Sequence, residues 1–229
     1  MILVAKSLTR IYRPVVLWFL CAVTLVVVAA SIVLARVSSG TGFSLWLITA
    51  GHATKWWLLI MGILLIATYL KLHVANGVTR HDFLLGSALF GGVTATAFAV
   101  LLPIGHGIEQ LVWTIIGTPA AGYPEFSAAE AVQEFGHYLP IELGFFVSGA
   151  FIGAAFYRFA WWAGLLLVLP GAMPALAADA LLGGVGAGPP VARGLPYAGA
   201  LAVSLVVTVL MAAMIGAAMR DVTIRRTAG

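Results

Sequence analysis

Charge is what this chain has least of. Only 9% of its 229 residues are Asp, Glu, Lys or Arg and 62% are hydrophobic, a balance that cannot keep a monomer of this size dissolved in water. Cysteine is nearly absent too. Cys21 stands alone, which excludes an intrachain disulfide and a cysteine-rich metal centre and leaves it as a small packing residue. The chain has no Gly-x-x-x-x-Gly-Lys-Ser/Thr cradle for nucleotide phosphates. Ser87, Ser148 and Ser204 lie outside any Gly-x-Ser-x-Gly context, so a nucleophile elbow is excluded as well. No polar stretch is long enough to fold as an aqueous domain.

What fills the chain instead is apolar sequence in six stretches, approximately 15–35, 56–74, 83–103, 139–157, 161–182 and 196–219. A helix crosses the hydrocarbon core of a bilayer with about 20 residues, and each stretch meets that length. Mixed Ala, Gly, Leu and Val without strict alternation favours helices over barrel strands. The predicted fold class is all-α: a polytopic integral membrane protein, one transmembrane domain of six helices. The start of the chain imitates a signal peptide, but the 21 apolar residues of 15–35 exceed the roughly 7–15 of a cleavable core, so the stretch reads as a retained span.

The basic residues orient the spans. With the N-terminus cytoplasmic, Lys6, Arg10, Arg13, Lys71, Arg80, Arg158, Arg220, Arg225 and Arg226 lie inside and Arg36, Lys55 and Arg193 outside, the asymmetry of the positive-inside rule. Six spans return the C-terminus to the same side. The net charge of +4 then answers anionic inner-leaflet lipid and not nucleic acid, since the bases are dispersed over separate loops. The largest outer segment is 104–138. Its part 108–116 is expected to lie flat at the interface with Trp113 at headgroup depth, and its part 124–137 to form a short polar helix capped by Ser127 with Glu130 three residues on. The Gly/Pro-rich 183–194 reads as a short connection.

Several groups could carry chemistry. The inner loop after the second span holds Gly77, which permits a tight turn, Thr79, which can cap the next helix, and Arg80, His81, Asp82 and Phe83 beside them. Pro170 and Pro174 remove backbone hydrogen bonds within 161–182 and should kink it, offering a hinge or a static bend. Gly149 and Gly153 form a small-residue face for close helix approach, within one chain or between two. Glu142 and Asp179 are carboxylates near the outer ends of spans, where they either reach the headgroups or line an outer vestibule. His52, His106, Glu109, Glu125, Glu130, Glu134 and His137 also gather outside. Glu130, Glu134 and His137 share a helix face that could meet His106, but their spacing matches no zinc signature and no metal is expected.

The run Asn-Gly-Val-Thr-Arg-His-Asp-Phe resembles the Gly-x-Thr/Ser-Arg-x-x-Phe segment of small ABC-2-type export permeases, matching at Gly77, Thr79, Arg80 and Phe83 after the second span. The six-span layout and basic N-terminal segment are similar to that family as well. Two features depart from it. The longest outer segment lies between spans three and four and not five and six, and His81 stands where many members carry a second base.

The resemblance implies a permease subunit of a bacterial inner-membrane exporter, with residues 75–83 docking in a groove of a separate ATP-binding subunit. It implies a second permease copy or related permease as partner, ATP and magnesium bound by the ATPase partner and no cofactor on this chain. Apolar span walls suit a hydrophobic or amphipathic substrate. Two other readings stay open at this point: a non-catalytic membrane scaffold or immunity protein, and an intramembrane enzyme, which would need a nucleophile and base at one depth.

Overall fold

A computed structural model describes residues 1–37, 42–116, 123–124, 126–183 and 195–220. Among these residues the chain is all helix: α1 (Ile2–Val37), α2 (Leu45–Leu64), a π-helical turn (Leu65–Tyr69), α3 (Leu70–Ala75), α4 (Arg80–Ile116), α5 (Ala128–Arg158), α6 (Trp161–Leu166), α7 (Val168–Gly171), α8 (Met173–Leu182) and α9 (Tyr197–Met219). Five helical stretches are long and apolar enough to cross a membrane: α1, α2 continued through α3, α4, α5 and α9.

The helices outrun the hydropathy that located them. α4 has 37 residues and α5 has 31, about 55 and 46 Å of helix against a hydrocarbon core of about 30 Å. Residues 108–116 form no separate helix but continue α4, and Trp113 is buried against the rest of the protein. The polar helix expected at 124–137 is likewise the first part of α5. Ser127 is its N-cap as anticipated, its hydroxyl accepting from the Glu130 N–H at 3.2 Å. Hydropathy measures only the part of a helix that lipid would cover, whereas backbone hydrogen bonding carries on past it.

The stretch 161–182 is not one continuous helix. It breaks at Leu167 and Ala172 into α6, α7 and α8. Proline supplies the cause, because Pro170 and Pro174 cannot donate to the helix ladder. The Ala175 N–H instead donates to the hydroxyl of Ser148, a fully buried residue of α5, at 3.0 Å. The bend is thus tied down by a neighbouring helix.

α5 is the axis of the fold. Of its most apolar window, 78% is buried, against 11% for α1, which lies at the edge with Leu17, Trp18, Leu25 and Val33 exposed and Cys21 also exposed, not packed as expected. α2, α4, α8 and α9 all pack against α5. Glycine makes the α2–α5 approach possible within this one chain. A Cβ on Gly149 would stand 1.9 Å from the Leu59 carbonyl oxygen, and one on Gly62 would stand 2.3 Å from that of Phe146. Where α2 passes Leu65 it gains a π turn, and the Leu70 N–H reaches back to the Leu65 carbonyl. Tyr69 of that turn stacks on Tyr12 of α1, ring centres 5.4 Å apart.

Candidate functional site

The turn between α3 and α4 is built by local rules. Gly77 has φ +83°. Its N–H donates to the Val74 carbonyl at 3.0 Å and the Val78 N–H to that of His73 at 3.0 Å, the paired bonds of a Schellman stop, with Gly77 at the left-handed position. Thr79 starts the next helix: its Oγ1 accepts from the Asp82 N–H at 3.1 Å and donates to Asp82 Oδ2 at 2.8 Å. Asp82 Oδ1 also accepts from the Met1 amino group at 3.1 Å.

The side chains of this segment divide between inside and outside. Asn76, Gly77, Thr79 and His81 are exposed. Phe83 is fully buried, its ring 5.1 Å from that of His73, and His73 Nδ1 is held at 2.9 Å by the Tyr69 carbonyl. Phe83 is therefore an anchor for the turn and not part of its outer surface. Arg80 is half-buried and turns sideways: Nη1 donates to the Arg220 carbonyl at the C-terminus of α9, at 3.4 Å. Arg158, at the end of α5, donates to the Ala218 carbonyl of the same terminus. Two guanidinium groups thus satisfy the last carbonyls of α9, where the helix dipole is negative.

The opposite end of the bundle holds the acids, and there the sequence-predicted cluster separates into three constructions. Glu109 of α4 lies at the N-terminus of α2. It accepts from the Ser44 hydroxyl, from the Leu45 N–H at 3.0 Å, from the Trp46 N–H at 3.3 Å and from the Tyr123 hydroxyl at 3.0 Å. A carboxylate there answers both the orphan N–H groups and the positive end of the dipole. Burial first, then the Glu109 charge, pushes the Tyr123 phenol above its ordinary range, which keeps it a donor.

His106 and Glu134 form the second construction, Nδ1 to Oε1 at 2.6 Å, both side chains buried. The ring of His106 is flanked by Phe126 at 5.5 Å and Tyr123 at 5.9 Å. The helix face of Glu130, Glu134 and His137 does not converge: His137 stacks on Tyr197 at 4.8 Å instead. Among the described residues no three His, Cys, Asp or Glu side chains gather as a metal-ligand set. Glu125 lies outside the described residues.

The third construction joins α2 to α5 and α8. Glu142 does not reach a headgroup layer: it is fully buried, Oε1 accepting from the Thr54 hydroxyl at 2.6 Å, while Oε2 has no partner. Next to Thr54, Lys55 donates to Asp179 Oδ1 at 2.7 Å, with the ammonium 5.3 Å from the Phe145 ring centre. The Asp179 side chain remains 42% exposed and that of Lys55 only 9%, so Asp179 faces outward and Glu142 inward. The pairing of α2 with these acids went unread in the sequence, though a lysine just before one span and an aspartate near the outer end of another were its visible signal.

Comparison with models of known protein families, with curated proteins and with solved structures finds no match to this chain.

Proposed function

We propose that this chain is the membrane-spanning permease subunit of an ATP-binding cassette exporter in a bacterial inner membrane, moving a hydrophobic or amphipathic substrate. In this reading the N-terminus is cytoplasmic, α6, α7 and α8 together make the fifth of six crossings, and both chain ends share the basic side. Energy comes from ATP hydrolysed by a separate subunit, because the chain has no phosphate cradle of its own. A second copy or a related permease completes the pathway.

The observation that carries the reading is the construction of the Asn76–Thr79 turn. It is exposed at its tip, stopped and restarted by a left-handed Gly77 and a Thr79 cap, and fastened to the core by fully buried Phe83. A knuckle built this way transmits a push and does not absorb it, since displacing it would drag α3 and α4 as rigid bodies. Arg80 extends the linkage to α9 through the Arg220 carbonyl. Asn76, Gly77, Thr79 and His81 form the docking surface, and Phe83, Arg80 and Asp82 hold it in shape.

Co-purification from detergent-solubilised native membranes tests this. Tagged wild-type chain should bring down an ATP-binding protein and ATPase activity. His81→Glu, at the exposed tip, should lose that partner while keeping the wild-type thermal unfolding midpoint; Arg80→Glu should lose it too, with a lowered midpoint because the link to the α9 terminus goes with it. Absence of any ATP-binding partner from the wild-type sample, under conditions that preserve other membrane complexes, would refute the reading.

A further inference from the structure

At the basic end of the bundle α9 packs along α5 but barely meets α4, and the gap between them is a cavity of about 560 Å³ walled by α4, α5, α9 and the π turn. That volume falls within the roughly 300–1,000 Å³ of pockets that hold small ligands. Its lining changes character with depth. Of its lining, Arg80, His81 and Arg220 are exposed or half-buried and make the mouth, whereas Ser87, Leu65 and Phe146 are buried.

Among the described residues the charged side chains lining the mouth are basic. Arg80 and Arg220 belong to the ends of α4 and α9, and among the described residues the carboxylate at this end of the bundle is Asp82, already engaged by Thr79 and the Met1 amino group. Ser87 is the second observation. The helical hydroxyls of Thr9, Thr24, Thr94, Thr96, Thr114, Ser204 and Thr208 each donate to the carbonyl four residues back. The Ser87 hydroxyl is buried and has no partner, at a position lining the cavity. A buried unpaired hydroxyl calls for an acceptor.

We propose that this cavity is a binding site for an anionic glycerophospholipid of the adjacent leaflet, its phosphate between Arg80, His81 and Arg220, an ester carbonyl at the Ser87 hydroxyl and an acyl chain inside. The order of chemistry matches. Ser87 lies about 10 Å along α4 from Arg80, below the headgroup level where the glycerol esters of a lipid lie, and the apolar walls continue beneath it. Guanidinium groups at a helix end bind phosphate by charge and by directed N–H donors. A free phosphate would use the mouth and leave the apolar depth unfilled, so the lipid is the occupant that satisfies the whole site. The site shares Arg80 and His81 with the docking segment, but lipid binding there needs no nucleotide-binding partner and is tested without one.

The test is native mass spectrometry of the full chain in detergent, titrated with phosphatidylglycerol or phosphatidylcholine. Wild type should retain phosphatidylglycerol with an affinity about tenfold or more above that for phosphatidylcholine, given about fivefold per basic group. Gly216→Phe fills the cavity, since a Cβ on Gly216 meets nothing within 4 Å, and it leaves every charge in place. It should abolish the preference, while Gly92→Phe, equally open at its Cβ but not part of the cavity lining, should keep it. Arg220→Glu should lower phosphatidylglycerol retention about tenfold or more. Retention unchanged in Gly216→Phe would overturn the proposal, because the lipid would then be held by surface charge alone. Full displacement by equimolar glycerol phosphate would overturn it equally, showing that the headgroup binds without the cavity. Should Gly216→Phe fail to fold, Arg220→Glu decides: unchanged preference sinks the site.

Discussion

Replacing Gly149 by alanine adds one methyl group where, among the described glycines, a neighbour comes nearest. The new Cβ would stand 1.9 Å from the Leu59 carbonyl oxygen, and ordinary contact begins at 3.4 Å, so α2 must withdraw by about 1.5 Å. Neither side can yield locally, because the obstacle is backbone and not the tip of a flexible side chain. A gap of even 0.5–1 Å forfeits roughly a quarter to a half of the dispersion attraction between the atoms it separates. The α2–α5 seam is the most extensive interhelical contact in the bundle, so the loss is spread along it. The expected cost is about 3 kcal/mol, at the upper end for overpacking a close-fitted interface. Gly153→Ala, whose Cβ would lie 2.8 Å from the Ile63 carbonyl oxygen, should cost about half as much. Gly216→Ala and Gly92→Ala meet nothing within 4 Å and should be neutral or stabilising by up to about 1 kcal/mol through helix propensity. Unfolding in mixed micelles by increasing SDS mole fraction, followed by tryptophan fluorescence, ranks the four variants. Equal midpoints for Gly149→Ala and Gly216→Ala would refute the seam as drawn here.

The same unfolding assay checks three further expectations. Thr54→Val removes the hydroxyl that serves buried Glu142 and should cost about 1–3 kcal/mol, most of it regained in Thr54→Val/Glu142→Leu; strict additivity would show the two do not interact. Asp179→Leu strands the Lys55 ammonium, whose side chain is 9% exposed, and should cost more than Lys55→Met, which leaves Asp179 with access to water; the reverse order would disprove the pairing as the reason. Ser148→Ala takes away the acceptor of the Ala175 N–H and should cost about 1–2 kcal/mol, with faster hydrogen exchange at Ala175; unchanged exchange would mean that the bend supplies another acceptor.

What could be read in advance was what depends on neighbours in sequence. Gly77 as a turn and Thr79 as a cap are properties of four or five consecutive residues, and both appear as expected. The apolar centres of α1, α2, α4, α5 and α9 were legible for the same reason, since lipid selects their composition residue by residue. The prolines of 161–182 announced a bend. That Ser148 would receive the freed N–H depends on which face α5 turns to α8, and that is a property of the packed bundle. The acids show the same limit. Glu142 and Asp179 looked alike, each a carboxylate near a span end, yet one points into the protein toward Thr54 and the other outward from Lys55. Arg80, expected to face a partner, is turned toward a carbonyl on a helix that begins more than a hundred residues later.

The π turn at Leu65–Tyr69 sets the compass bearing of everything that follows it in α3. Compared with an uninterrupted α-helix, a π turn accommodates one additional residue, and one residue is about 100° of rotation around the axis. Shortening the segment by a single residue would let α2 run on as regular helix while swinging the Gly77 knuckle through about that angle. Phe83 would lose its place against His73, and the tip would face a different neighbour altogether. The five residues that interrupt the helix thus act as an indexing pin: they fix the aim of the exposed turn relative to the glycine-fitted seam above it.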